Sequence, residues 1–527
     1  VVTDGNFKSV HDAAITAAPD AAGAFSVAST DTAGGYQTYG LTTNATTSGT
    51  ITFTYAGLTR PLSIPYRVGL KMFTYGSGTA ADPYLIPDAA TMEVFRKFVN
   101  LGNSTPDSYF VIAAPKDPYH YVYPNYTGGI TIDLAGNPDT KSWKGMTNTF
   151  SGKLDGTGST ITGLVIPEPT QRPTVWTAGL FYQLSETTEI KNLRIVGAEI
   201  TGPKYVNSNK NENSAAGILS AYATGGTITG VSVSGTITGS RYAQVGGLIG
   251  RLTAEGAMTL QDSSADVTII GTSGFGITNQ YTGKGPDVWK YGAGQLIGKA
   301  EKGQGTTTDT LKITQCATYG SISIWPATGS FVGLCNLNKL NILCDNSLSL
   351  TALQKDETNQ TGVFAPAAVG GMFGLARDLQ NGQLKITNSY FAGETDVDPT
   401  LHLAGGWVGA ATGDRDATVE DYTHLNVIDT AYIDGVFSYN QVNLLKKEGA
   451  KWSAFSAYSW PASGAGGENG YAFQPVGSSY AMTEPAGSEY QQSQMRKWGT
   501  SASGVWNFAE GIYPRLSWQK TSDPKTL

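Results

Sequence analysis

The chain has 527 residues, with 66 Gly, 23 Pro, 27 Tyr, 3 Cys and only 4 His. Gly makes up about 12.5% against an average of about 7%, and charged residues 15% against about 25%. A disordered chain, which is charge-rich and poor in aromatics, is excluded. So is a helical bundle, whose interior each Gly would weaken by roughly 1 kcal/mol relative to Ala.

The net charge of -7 comes without any basic block, so nucleic acid is not an expected partner. No run of eighteen apolar residues exists, and no transmembrane segment is expected. The start VVTDGNFKSV reads as a mature or trimmed product.

Taken in chain order, residues 1–70 read as a small, partial β-sandwich. The alternating run Ile51-Thr52-Phe53-Thr54-Tyr55 follows the turn Ser48-Gly49-Thr50, and the module is expected to end near Pro65-Tyr66. One helix follows. Asp88 caps it, Met92, Phe95, Phe98 and Val99 form its apolar stripe, and Gly102 ends it. Tyr119, Tyr121, Tyr123 and Tyr126 come next, the first three on one face of a strand. Exposed, they form a stacking platform for sugar rings or a partner's apolar patch; packed under a loop they are core, which is the preferred reading.

From there a short phrase recurs: a small residue, Gly or its substitute, two apolar residues, and often another Gly. Instances are Ala178-Gly179-Leu180-Phe181, Gly246-Gly247-Leu248-Ile249-Gly250, Gly294-Gln295-Leu296-Ile297-Gly298, Val332-Gly333-Leu334-Cys335 and Gly370-Gly371-Met372-Phe373-Gly374. The spacing is about 30 to 48 residues, within the range of solenoid repeats. Strand-like runs such as Ile190–Val196 and Ile228–Ile237 follow the phrases and alternate with period two. One such coil cannot bury its apolar face alone, whereas stacked coils complete both core and hydrogen-bond ladder. Roughly seven to twelve coils would make a rod about 35 to 60 Å long. Residues 71–436 are therefore assigned to a parallel β-helix with an N-terminal helical cap, and 437–527 to aromatic C-terminal coils and a cap. The tail's Trp452, Trp460, Trp498, Trp506 and Trp518 are expected to be core covering the coil end.

Chemistry-bearing patterns are sparse. Cys316, Cys335 and Cys344 lack CxxC spacing and an even count; a disulfide between two of them is an alternative, and buried free thiols are preferred. His11, His120, His402 and His424 are scattered, so neither a metal site nor any cofactor is expected. The acid pairs Asp262 with Asp266, Asp414 with Asp416 and Glu420 with Asp421 read as turn residues rather than a glycosidase dyad. In Asp155-Gly156-Thr157-Gly158, a turn with Asp bonding its own backbone is preferred over a calcium loop.

The run Phe150 to Leu164, with Ala178-Gly179-Leu180-Phe181 and Ile190-Lys191-Asn192-Leu193, resembles GLUG-motif surface proteins of Bacteroidetes. The entry Gly76 to Ile86 and the exit Trp506-Asn507-Phe508, then Gly511 to Trp518, are similar to that family's borders, so the resemblance spans about residues 72 to 520. It implies an all-β chain: a right-handed parallel β-helix preceded by a partial, fimbrillin-like β-sandwich. It also implies an outer-membrane or fimbrial location on the cell surface, lipid-anchored in some relatives, and no catalytic residues. The expected function is a non-enzymatic adhesin or fimbria-associated protein binding surface glycan or protein partners. Loops such as 272 to 292 and 437 to 490 are the places to look for binding. The alternatives are a polysaccharide-degrading β-helix enzyme (lyase or glycoside hydrolase) and a structural subunit of a surface assembly.

Overall fold

A computed structural model describes residues 72–116, 126–170, 175–203, 213–272, 290–354, 367–378 and 382–391, with short strands and segments elsewhere. The chain divides into two compact units, Val1–Ser77 and Gly78–Leu527. The first unit contains two antiparallel sheets. One joins Thr16–Pro19, Thr47–Thr54 and Leu62–Val68; the other joins Phe25–Asp31 and Thr38–Thr43. The last strand runs through Pro65 and Tyr66, so the antiparallel pattern extends to Val68.

The second unit is a parallel β-helix built on three ladders. A seven-stranded ladder runs from Thr177–Ala178 to Leu403–Gly405, and an eight-stranded one from Thr149–Phe150 to Val408–Ala411. The third and longest contributes two strands from most coils, such as Met258–Gln261 and Ser264–Thr272. The eight rungs of the second ladder, about 4.8 Å apart, span about 34 Å, and the third ladder continues past them to Tyr84–Leu85 at one end and Ser479–Met482 at the other.

In-register pairing turns sequence positions into columns. Leu154, Ile190, Ile228, Leu260, Ile313, Cys344 and Ile386 stack in one buried column of the third ladder. Cys316, Cys335 and Cys344 are all free and buried, as the odd count and spacing suggested.

The repeated phrase is the corner between the first two ladders. Its two glycines, four residues apart, let the short strands approach backbone to backbone. A Cβ on Gly246 or Gly370 would overlap the carbonyl oxygen of Ile249 or Phe373 in its own coil. The same Cβ would crowd the amide of Gly298 or Gly409 in the next coil. The residue after the first glycine is variable: Gly247, Gln295 and Ser330 occupy that place in successive coils. Register therefore corrects one phrase. Gly294 aligns with Gly329, so the phrase there is Gly329-Ser330-Phe331-Val332-Gly333, three residues earlier than Val332-Gly333-Leu334-Cys335 placed it.

A second corner interrupts the third ladder. Thr157, Asn192, Asp262, Gln315, Asn346 and Asn388 stand there with φ near +50°. Asn and Asp tolerate this region better than most residues. After Asp262, Gln315, Asn346 and Asn388 the next residue turns inward to satisfy the bent backbone: Ser347 Oγ accepts from Cys316 N (3.0 Å) and donates to Asp345 O (2.9 Å). Ser389 Oγ likewise accepts from Ser347 N (3.1 Å) and donates to Thr387 O (2.7 Å). Asp155 Oδ1 accepts from Thr157 N at 2.8 Å, the self-bonded turn expected from its sequence.

Helix α1 (Ala89–Asn100) closes the stack at its start. Asp88 accepts from Thr91 N at 2.7 Å, and Gly102 follows the helix with φ +74°. Met92, Phe95 and Val99 are fully buried, and the Phe95 ring lies 4.7, 5.6 and 6.0 Å from those of Phe110, Phe150 and Phe181. This aromatic plug keeps water from the open end of the core. Among the described residues, no helix is long and apolar enough to cross a membrane.

Candidate functional site

The second ladder carries a run of polar side chains at one register position. Register stacks Gln183, Tyr222, Arg251 and Lys299, then Leu334 and Leu375. Glu301, two residues beyond Lys299 on the same strand, faces the same side. Arg251 reaches Glu301 Oε1 through Nε (2.7 Å) and Nη2 (2.5 Å), while Lys299 Nζ lies 2.8 Å from Oε2. Two cations share one carboxylate, leaving the triad at +1.

These groups are largely shielded, with side-chain exposures of 16%, 10% and 13% for Arg251, Lys299 and Glu301. Burial pushes the Lys299 ammonium below the usual lysine value, and the positive charges of Arg251 and Arg377 add to that. Burial opposes ionisation of Glu301, but Lys299 and Arg251 together hold it below the ordinary carboxylate value.

Tyrosines flank the triad. The Tyr182 and Tyr222 rings meet edge to face at 5.4 Å, and both are half-buried. The Tyr222 hydroxyl donates to the carbonyl of Asn213, whose Oδ1 accepts from Arg251 Nη1 at 2.9 Å. Burial raises the Tyr222 phenol well above its normal value. The group is thus a rigid arrangement of ring edges, cations and one acid on neighbouring rungs. No motif in the sequence announced it. Its signal is register: a Tyr, an Arg and a Lys at equal offsets from successive Gly corners.

The candidate residues read from sequence fall elsewhere. Tyr119, Tyr121 and Tyr123 lie outside the described residues. Tyr126 is half-buried in the short strand Tyr126–Thr127, opposite Pro115. Asp262 occupies the φ-positive corner, where its Oδ2 accepts from Gln261 Nε2 at 3.1 Å. Asp266 pairs in register with Ser234 and Tyr319. Asp414, Asp416, Glu420 and Asp421 lie outside the described residues, as do most of loops 272 to 292 and 437 to 490. Among the described residues, no group of three or more His, Cys, Asp or Glu side chains is placed to hold a metal.

The ladders and the side chains they display define this unit as a parallel β-helix with a polar face on one sheet. No family model matches the chain. It is similar to Halomucin of Haloquadratum walsbyi, with 28% identity over 224 residues. That match covers 42% of this chain but only 2% of Halomucin. Among solved structures, a provisionally named immunoglobulin A1 protease from Bacteroides ovatus aligns over 85% of this chain and 96% of its own. The identity there is 14% and the TM-score 0.39.

Proposed function

We propose that this chain is a non-enzymatic, surface-displayed adhesin whose β-helix serves as a presenting rod for glycan or protein partners. The observation that carries the reading is the display of Tyr182, Tyr222, Arg251, Lys299 and Glu301 on adjacent rungs of one rigid sheet. Aromatic rings beside hydrogen-bonding charges on a preorganised scaffold suit recognition of a polar, ring-shaped ligand. The similarity to Halomucin supports a location at the cell surface. The Gly-apolar phrase and its borders support membership of the GLUG-motif proteins, and with it an outer-membrane or fimbrial setting. A fimbrillin-like role for the N-terminal unit fits its two antiparallel sheets.

The test is a glycan array and an extracellular-matrix binding screen with the purified chain, alongside envelope fractionation and a polysaccharide hydrolysis panel. Selective binding with no released product is expected. Product release from a polysaccharide, or no ligand on either screen, would reject the reading.

A further inference from the structure

We infer that Arg194 anchors an oxyanion-binding site on the outer face of the third ladder, taking the sulfate or carboxylate group of an extended acidic polymer. The site lies on a different ladder from the polar group above, and the inference stands independently of the adhesin reading.

Arg194 belongs to the strand Glu189–Thr201 and faces outward, because Leu193 and Ile195 on either side of it are fully buried. In register it stands between Thr160 on the preceding rung and Ser232 on the next, and Thr131 and Ser264 continue the column. Short hydroxyl side chains serve this place on the neighbouring rungs, so the fold does not call for a guanidinium there. Further along, the column turns apolar as Ala317, Leu348 and Tyr390, and lies under Trp506 and Leu516.

Other charges on this strand are matched across rungs. Glu189 meets Lys153 at 2.5 Å, and Lys191 meets Asp155 at 3.3 Å. Asp155 also accepts from Asn192 Nδ2 (3.1 Å) and Thr157 N (2.8 Å), so that acid is already engaged. Arg194 stands opposite hydroxyls instead. Among the described residues its Nε is buried without a hydrogen-bond partner. A guanidinium N–H left buried without an acceptor is costly, and such orphans are rare in folded proteins. The side chain as a whole is half-buried rather than enclosed, so an acceptor can reach it from outside.

The backbone adds a second feature. Just past Arg194 the register shifts: Val196 and Gly197 together stand opposite Ser234 alone, with Gly197 at φ +66°. A bulge of this kind bends its strand and re-aims the side chains beside it. Val196, on the same face as Arg194, is left exposed.

Sulfate and carboxylate oxygens pair with the Nε–Nη edge of a guanidinium through two parallel bonds, and Nε is the group left unsatisfied here. The Thr160 hydroxyl, one rung or about 4.8 Å away, can donate a third. Short side chains on the adjoining rungs make an open face rather than a cleft. Such a face suits a polymer laid across the rungs better than a small molecule, which needs enclosure.

The experiment is isothermal titration of the full chain with dextran sulfate, oligogalacturonate and neutral dextran at matched ionic strength. Variants Arg194→Thr and Arg194→Lys are run beside it, each checked by thermal melting. Arg194→Thr repeats the residue type of the preceding rung and should melt no lower than the parent in the absence of polymer. At least one acidic polymer should bind the parent about ten-fold or more tightly than neutral dextran does, and Arg194→Thr should lose that margin. Arg194→Lys keeps the charge without the fork and should lose about three-fold or more. Preference for dextran sulfate would identify a sulfate ester, and preference for oligogalacturonate a carboxylate.

Parent affinity in Arg194→Thr would place any binding elsewhere and overturn the site, as would no preference for either acidic polymer. Parent affinity in Arg194→Lys would overturn the forked contact. A marked drop in the melting temperature of Arg194→Thr without polymer would make Arg194 a structural residue and overturn the inference as well.

Discussion

The indole Nε1 of Trp506 donates to Oδ1 of Asn346 at 3.1 Å across 160 residues of sequence. Asn346 is a φ-positive corner residue, so the C-terminal segment grips the stack where its backbone bends. Trp518 does the same one rung away, donating to the carbonyl of Gln315 at 2.8 Å. Between them, the strand pair Trp506–Asn507 and Arg515–Leu516 lies over Ala317, Leu348 and Tyr390. Trp506 and Trp518 are thus packed, as their sequence context suggested, but along the side of the coils rather than across an end. Trp460 and Trp498 lie outside the described residues, as does the side chain of Trp452.

Removing this clasp should expose an apolar strip. Trp506→Ala should cost about 3–5 kcal/mol, the usual range for losing a buried aromatic. Trp506→Phe keeps most of the contact but leaves Asn346 Oδ1 without its indole donor, for about 1–3 kcal/mol. Urea unfolding followed by tryptophan fluorescence measures both. A Trp506→Ala variant as stable as the parent would show that the segment is merely laid against the coils.

The two-glycine corner gives a sharper expectation. In Gly370→Ala the new Cβ would collide with backbone atoms of two coils, none of which is the movable end of a side chain. That variant should fail to form the middle of the solenoid, seen as insoluble expression or lost β-sheet circular dichroism. Gly158→Ala is the control. Gly158 has φ +76° but nothing within 4 Å of the added carbon, so only the backbone penalty of about 1–2 kcal/mol applies. Similar behaviour of the two would contradict a steric role for the phrase.

Much of this architecture was legible beforehand. Period-two runs and recurrent Gly-apolar phrases identify stacked parallel coils, because both depend on local backbone demands that repeat. Asp88, the Met92–Phe95–Val99 stripe and Gly102 marked a helix for the same reason. The second corner was equally repetitive in Asp262-Ser263, Gln315-Cys316, Asn346-Ser347 and Asn388-Ser389, yet its residue types vary. Only the shared positive φ and the inward hydroxyl or thiol unite them. The Arg251–Lys299–Glu301 group was invisible because Arg251 and Lys299 are 48 residues apart and meet only once register is fixed. The number of residues between successive Gly corners also differs from coil to coil.

The cysteines should be chemically silent in the folded chain. Burial pushes the Cys316 thiol up to about 12, and Cys335 and Cys344 rise by the same cause. Thiolate, the reactive form, is therefore scarce at pH 8 as well as inaccessible. Iodoacetamide at pH 8 should leave the native protein unmodified and add three carbamidomethyl groups in denaturant, read by intact mass. Rapid native labelling, or fewer than three additions without reductant, would contradict three buried free thiols.

The helical plug carries its own acid sensitivity. Glu93 is buried and bonded by Arg96 through Nε (2.7 Å) and Nη2 (2.6 Å), with Lys97 at 3.6 Å. The hydrogen bond from Arg96 is the main reason its carboxyl is held below the ordinary value of 4.5, burial acting in the opposite sense. A carboxylate with a depressed folded value binds its proton more readily when unfolded. Its stabilisation is therefore complete above about pH 4.5 and is lost as pH falls through the folded value. Glu93→Gln should be less stable than the parent by about 1.5–3 kcal/mol at pH 7, and the difference should shrink toward zero below that acid range. Thermal melts from pH 7 to pH 2.5 would show the two curves converge. A gap that stays constant across the titration would mean that Glu93 contributes through packing rather than charge.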